Sequence, residues 1–229
     1  MEDIIKNLRI TVSDKLYKKD PESSELGKRI IGQGILLIDE IGFENFTFRK
    51  LGEKISSNES SIYRYFENKH NFLVYITAWF WGWKEFQLIL STNNIQDPLT
   101  KLNTAVEVMT YPVEEDIRFK HIDEVALNNI IINESSKSFL TKDVDADNKE
   151  GFFLIYKRLV KRISEMISNT DPDYDFPFNL ATSIIDGSLH QHFMSQHFPT
   201  ITDCKNGITP SAFYKNMISQ ILNTHNGRQ

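Results

Sequence analysis

Between Lys69 and Leu90 the chain carries seven aromatic residues, Phe72, Tyr75, Trp79, Phe80, Trp81, Trp83 and Phe86, with no proline among them. A helix over this stretch is apolar on nearly every side, so it cannot lie on a surface and must be packed all round. The sequence therefore predicts a long buried helix at about 69–90 that joins two parts of the molecule. Ten glycines and seven prolines in 229 residues are few for a turn-rich β fold. The fold class expected is all-α.

Upstream, residues 1–19 mix apolar and basic side chains, Ile4, Ile5, Leu8, Ile10, Val12 and Leu16 among them, and read as an N-terminal arm. Asp20-Pro21-Glu22 has the pattern of a helix start. Leu26, Ile30, Ile31, Leu37, Ile38 and Ile41 follow at helical spacing, with Gly42 placed to end the helix. Thr47 is a cap for a short helix from Phe48 to about Ile55. Asn58 is a cap for another that carries Ile62, Tyr63 and Phe66. Beyond a polar break at 91–97, further helices are expected at about 98–109, 118–137, 148–168, 178–197 and 209–223.

Two short helices separated by a few residues make a DNA-reading unit. In the stretch 46–66, Gly52 suits a close inner corner, Leu51, Ile55 and Ile62 tie the helices together, and the small Ser60 and Ser61 open the second helix. This region resembles the TetR family of regulators, on Gly42-Phe43, Thr47, Ile62-Tyr63-Arg64-Tyr65-Phe66 and Lys69, over residues of about 25–75. The resemblance implies a three-helix DNA-binding domain, a long connecting helix and a variable helical ligand-binding and dimerisation domain. It places Thr47, Tyr65 and Lys69 at phosphate positions and Arg49 near the DNA edge. Asn58, Ser60, Ser61 and Tyr63 fall on or beside the recognition helix. Tyr63 fits either a hydroxyl contact to DNA or packing, Phe66 reads as core, and Ser60, Ser61 and Lys69 also fit as ordinary helix starters and a solvated lysine. The turn departs from the family, with Ser56-Ser57 where glycine is usual, and serine takes positive φ less cheaply. Glu59 adds a charge that repels DNA.

The expected organisation is an arm at 1–20, a helix-turn-helix domain at 21–70 and a helical ligand-binding and dimerisation domain at 71–229. Trp79, Trp83 and Phe86 either fill a core or line a pocket for an apolar effector, with His121, Asn128 and Asn129 as its polar groups. The helices at 148–168 and 178–197 read as a dimer pair, with Gly187-Ser188 allowing close approach. The partners expected are double-stranded DNA, a small-molecule effector and a second copy of the chain.

Charge adds little. Residues 1–70 carry as many acids as bases, and the rest of the chain carries the whole net charge of −5. A single cysteine, Cys204, excludes an internal disulfide. No apolar run suits a membrane span, no secretory pattern opens the chain, and the location expected is cytoplasmic. His190, His192 and His197 do not share a helix face. Asp143–Asn148 lacks the glycine and the distal glutamate of a calcium loop, so no metal or cofactor is expected. No nucleophile or acid–base constellation supports an enzyme. The function expected is a ligand-responsive repressor that binds a palindromic operator as a dimer. The alternative is a protein of the same fold that binds an apolar ligand or lipid and no DNA.

Overall fold

The computed structural model describes residues 9–116 and 118–225. Eleven α-helices and no strand occur among them: α1 (Glu25–Asn45), α2 (Phe48–Lys54), α3 (Glu59–Tyr63), α4 (Lys69–Thr92), α5 (Pro98–Thr110), α6 (Glu124–Glu134), α7 (Ser136–Phe139), α8 (Val144–Glu150), α9 (Leu154–Thr170), α10 (Pro177–His197) and α11 (Pro210–His225). No helix among the described residues is long and apolar enough to cross a membrane. The chain packs as two compact units. One comprises residues 1–82 and 113–155, the other 83–112 and 156–229, with the change within α4 at Gly82 and Trp83.

In the first unit, α4 supplies the core. Phe72 and Tyr75 are fully buried. The Phe72 ring stacks on Phe46 at 5.4 Å and meets Phe66 edge-on at 5.0 Å. Such pairs add roughly 0.5–1.5 kcal/mol to simple area burial. Helix α1 crosses α4 at Gly34, where a Cβ would lie 2.4 Å from the Phe72 ring. Only a residue without a side chain fits there. The arm joins this core: Ile10, Val12 and Leu16 are buried, Lys18 N donates to Tyr65 O at 2.7 Å, and Tyr17 meets Tyr75 edge-on at 6.1 Å. Ile4, Ile5 and Leu8 lie outside the described residues.

The expected helix start at Asp20-Pro21-Glu22 forms instead a 3-10 turn, Pro21–Ser23, with the Asp20 side chain accepting from Glu22 N. Ser24, in extended conformation, is the cap of α1 and accepts from Gly27 N. Gly42 takes φ 74° and breaks the regular turn of α1 before its end at Asn45. Two of the expected helices are divided. Asp123 caps α6 through Ala126 N, so the segment before it is irregular. Gly151, with φ 86°, ends α8 before α9 begins.

In the second unit α5, α10 and α11 pack on one another. The apolar stripe of α9, Leu159, Val160, Ile163 and Ile167, is buried within the chain. At Gly187 of α10 a Cβ would lie 2.2 Å from Tyr214 Oη of α11. The apolar stripe and small residues that suggested a dimer pair are thus used inside one chain. Large apolar residues stay exposed in this unit at other positions, Phe178 on α10 itself and Phe176, Phe198, Ile201, Ile208 and Phe213 outside it.

Charge is also buried here. Glu85 is 4% exposed and accepts from Arg158 Nε at 2.7 Å and Arg162 Nε at 2.6 Å. Burial pushes its carboxyl up, but the two guanidinium groups outweigh that and hold it below its ordinary range. Lys84 Nζ donates to Val108 O at 2.9 Å, and His192 Nε2 bonds Thr110 O at 2.9 Å. Both donate at the carbonyl-rich end of α5, where N–H donors and positive charge are favoured, and burial holds the His192 ring below its ordinary range. Burial lowers the Lys84 ammonium to about 8.

Candidate nucleic-acid interface and ligand cleft

The helix-turn-helix is built by local rules. Thr47 Oγ1 accepts from Lys50 N at 3.2 Å and caps α2. Asn58 Oδ1 accepts from Ser61 N and Ser61 Oγ, both at 2.8 Å, and caps α3. Between the helices Ser56 takes φ 53°, and Ser57 N closes on Gly52 O at 2.8 Å. This is the left-handed helix end usually made with glycine, so the serine keeps the turn geometry at some cost in strain. At Gly52 a Cβ would lie 2.9 Å from Ser57 O, which explains glycine at the inner corner.

The expected site residues divide by where their polar atoms point. Thr47, Arg49, Asn58, Ser60 and Tyr63 are exposed and Ser61 is half-buried. The Thr47 oxygen accepts the cap bond, and a hydroxyl keeps a proton to donate. Tyr63 is 44% exposed while its ring meets Phe48 edge-on at 5.1 Å, so it both packs and faces water. Arg49 Nε reaches Glu53 at 3.3 Å in an exposed pair, which is worth little.

Tyr65 and Lys69 are different. Tyr65 is 3% exposed, its hydroxyl shares a 2.8 Å hydrogen bond with Ser24 Oγ, and Lys19 Nζ sits 5.1 Å from its ring centre. Lys69 Nζ donates to Phe43 O at 3.1 Å, Glu44 O at 3.2 Å and Phe46 O at 3.4 Å. Three acceptors match the three protons of an ammonium. Both side chains are therefore occupied within the unit: Tyr65 ties the 3-10 turn and arm to the motif, and Lys69 closes the carbonyl end of α1. The cation that motif reading passed over is Arg64, exposed immediately after α3. Its position beside Tyr63 was the available signal. Lys50, also exposed, donates to Asn45 O at 2.9 Å.

The aromatic ligand candidates are split between the units. Trp79, 1% exposed, meets Phe119 edge-on at 5.1 Å in the first. Trp83 is buried in the second, where Phe86 is half-buried. His121 and Asn128 belong to the first unit, and both are half-buried. His121 Nε2 lies 3.0 Å from Glu22 Oε1, and Asn129 bonds Asp39.

His121 lines a cleft of 690 Å³ wholly within the first unit, which none of the aromatic candidates lines. Arg29, Gly32, Gln33 and Leu36 of α1 form one wall, and residues 120–124 with Glu115 and Asp116 form the other. At Gly32 a Cβ would lie 2.4 Å from His121 O, so this glycine sets how closely the walls approach. Glu124, 1% exposed, accepts from Asp116 N at 3.1 Å through Oε2. Its Oε1 has no hydrogen-bond partner among the described residues. Burial pushes this carboxyl up to about 7, with Asp116 and Asp123 adding to the effect against two backbone hydrogen bonds. No group of three His, Cys, Asp or Glu among the described residues is placed to hold a metal ion.

No protein-family model matches this chain, and no curated protein sequence does. Solved structures do resemble it in fold. AibR, in a structure with isovaleryl coenzyme A and operator DNA, is 16% identical with a TM-score of 0.59 over 85% of this chain and 98% of its own. The fatty acid degradation regulator FadR from Bacillus halodurans is 16% identical with a TM-score of 0.58, over 85% and 93%. The superantigen PfiT is 14% identical with a TM-score of 0.58, over 88% and 97%. At these identities the likeness is one of fold, and the different descriptions of the three show that the fold alone does not choose a function.

Proposed function

We propose that this chain is a DNA-binding transcription regulator of the TetR type, acting as a homodimer and released from or recruited to its operator by a small molecule. The observation that carries the reading is the outward face of the helix-turn-helix. There Ser60, Tyr63 and Arg64 stand exposed on and after α3, with Thr47, Arg49 and Lys50 exposed at α2, on two helices whose caps are satisfied from within. Such a face offers hydroxyl and guanidinium donors, the groups that contact phosphates and base edges. AibR, whose structure contains an acyl coenzyme A and operator DNA, supports the pairing of an effector with DNA in this fold. One five-residue helix reads few bases, so two copies are needed, with recognition helices roughly 34–36 Å apart. The exposed apolar residues of the second unit, Phe176, Phe178 and Phe213 among them, supply a surface for that pairing.

The function divides the chain at about residue 70, whereas packing divides it within α4. A ligand in the first unit would then act on the DNA-reading part through shared walls, provided it binds one state more tightly than the other.

The test is selection of bound fragments from a random-sequence duplex pool, across a salt series, with the wild type and a Tyr63→Ala, Arg64→Ala double variant. A two-fold symmetric site enriched by the wild type, weakened by salt and lost in the variant is the expected result. No enrichment at any salt, with the protein shown folded, overturns the reading. The competing role, binding an apolar molecule without DNA, then takes its place.

A further inference from the structure

The cleft between α1 and the 115–124 segment holds an unusual floor. Two of the amides nearby are already used: Ala126 N donates to Asp123 at 2.8 Å and Asp116 N to Glu124 at 3.1 Å. Asp116 is itself held by Arg118 Nε at 2.6 Å. Glu124, which lines the cleft, keeps an acceptor without a partner, the Oε1 of a carboxyl that is almost fully buried. A buried polar atom left unsatisfied costs about 1–3 kcal/mol, and a bound donor removes that cost. An anion finds little here, since Glu124 lies beside Asp116 and Asp123. The cations Lys28, Arg29 and Lys120 belong to the more open rim, where Lys28 is paired with Glu25. Charges at an exposed rim are screened, while those at a buried floor are not. With Asp116 paired to Arg118 and His121 to Glu22, the acid left without a cationic partner at the floor, among the described residues, is Glu124, beside Asp123, while Glu25 and Glu115 belong with the cations of the rim. Leu36 and the buried Ile122 add an apolar part to the lining.

We propose that this cleft binds a small organic cation, a primary amine with a short apolar body, whose ammonium group donates to Glu124 Oε1 while the body lies against Leu36 and Ile122. Binding leaves Glu124 ionised, so its proton passes to solvent as the amine enters. The site needs no DNA binding and goes beyond the proposed function. Its test is therefore made without DNA.

Phenethylamine and isopentylamine are titrated calorimetrically into the wild type, Glu124→Gln and Leu36→Trp, with phenylacetate as the anion of matched shape. Circular dichroism checks that each variant is folded. Glu124→Gln keeps the shape of the floor and removes its charge; Leu36→Trp fills the cleft and leaves the carboxyl. At least one amine should bind the wild type and lose about tenfold or more in affinity in each variant, as expected for a charge-assisted hydrogen bond. Its affinity should tighten as pH rises through about 7, because the ionised fraction of Glu124 rises there. Phenylacetate should bind more weakly than the amines. Equal binding to wild type and Glu124→Gln, preference for phenylacetate, or no binding of either amine to the wild type overturns the proposal.

Discussion

The two ends of α1 handle polar groups in opposite ways. At its carbonyl end, Lys69 satisfies three backbone oxygens, and the adjoining motif is capped at Thr47 and Asn58. Toward its other end, α1 walls a cleft whose floor keeps a buried carboxyl oxygen without a partner. A fully satisfied region is rigid and presents a fixed outer face, as a reader of DNA needs. An unsatisfied region holds a preference for something that is not part of the chain. On the proposed function and the proposed amine site, the difference would separate a surface that recognises DNA from a site that responds to occupancy.

Both ends of α1 rest on one aromatic core. Phe72→Ala should destabilise the protein by about 3–5 kcal/mol, read from urea unfolding. A loss under about 1 kcal/mol would mean that the first unit does not depend on this aromatic cluster. A smaller effect is expected at the cleft. The folded protein holds the Glu124 proton more tightly than the unfolded chain does, since its value is raised from 4.5 to about 7. Its contribution to stability is complete below the unfolded value and is lost as pH rises through 7. Glu124→Gln should therefore gain about 1–3 kcal/mol on the wild type between acid and mildly alkaline pH. Denaturation at the two pH values checks this, and a pH-independent difference would show the carboxyl to be solvated.

At the motif end, Tyr65→Phe should cost about 1 kcal/mol through loss of the Ser24 hydrogen bond and leave DNA affinity unchanged. A large loss of DNA affinity with unchanged stability would return Tyr65 to the phosphate-contacting set. The smallest effect concerns the turn. Ser56 sits at φ 53°, so Ser56→Gly should raise stability by about 0.5–1 kcal/mol, measured as a shift in the denaturation midpoint.

What was legible in the sequence follows the same division. The caps at Thr47 and Asn58, the corner at Gly52 and the long aromatic helix are local patterns, and each appears where spacing placed it. Gly32 and Glu124 were not legible as a site. Their meaning depends on α1 meeting a segment about ninety residues away, and a glycine at helical spacing reads only as a weak helix position. Tyr65 and Lys69 show the opposite case. Their motif positions were clear, but Ser24 and the carbonyls of Phe43, Glu44 and Phe46 reach them only through the fold. The apolar stripe of α9 likewise looked free for a partner because a sequence does not say whether the matching face lies in the same chain.

The most direct test of the account is the salt dependence of binding to a selected duplex, followed by fluorescence anisotropy for the wild type, Tyr63→Ala with Arg64→Ala, and Lys69→Met. The Tyr63, Arg64 variant should lose both affinity and salt slope. Each lost phosphate contact should lower the slope by about 0.9. Lys69→Met should keep the wild-type slope and lose only folding stability. A Lys69 variant with a reduced slope, beside a Tyr63, Arg64 variant that binds as the wild type does, would contradict the assignment of the outward face.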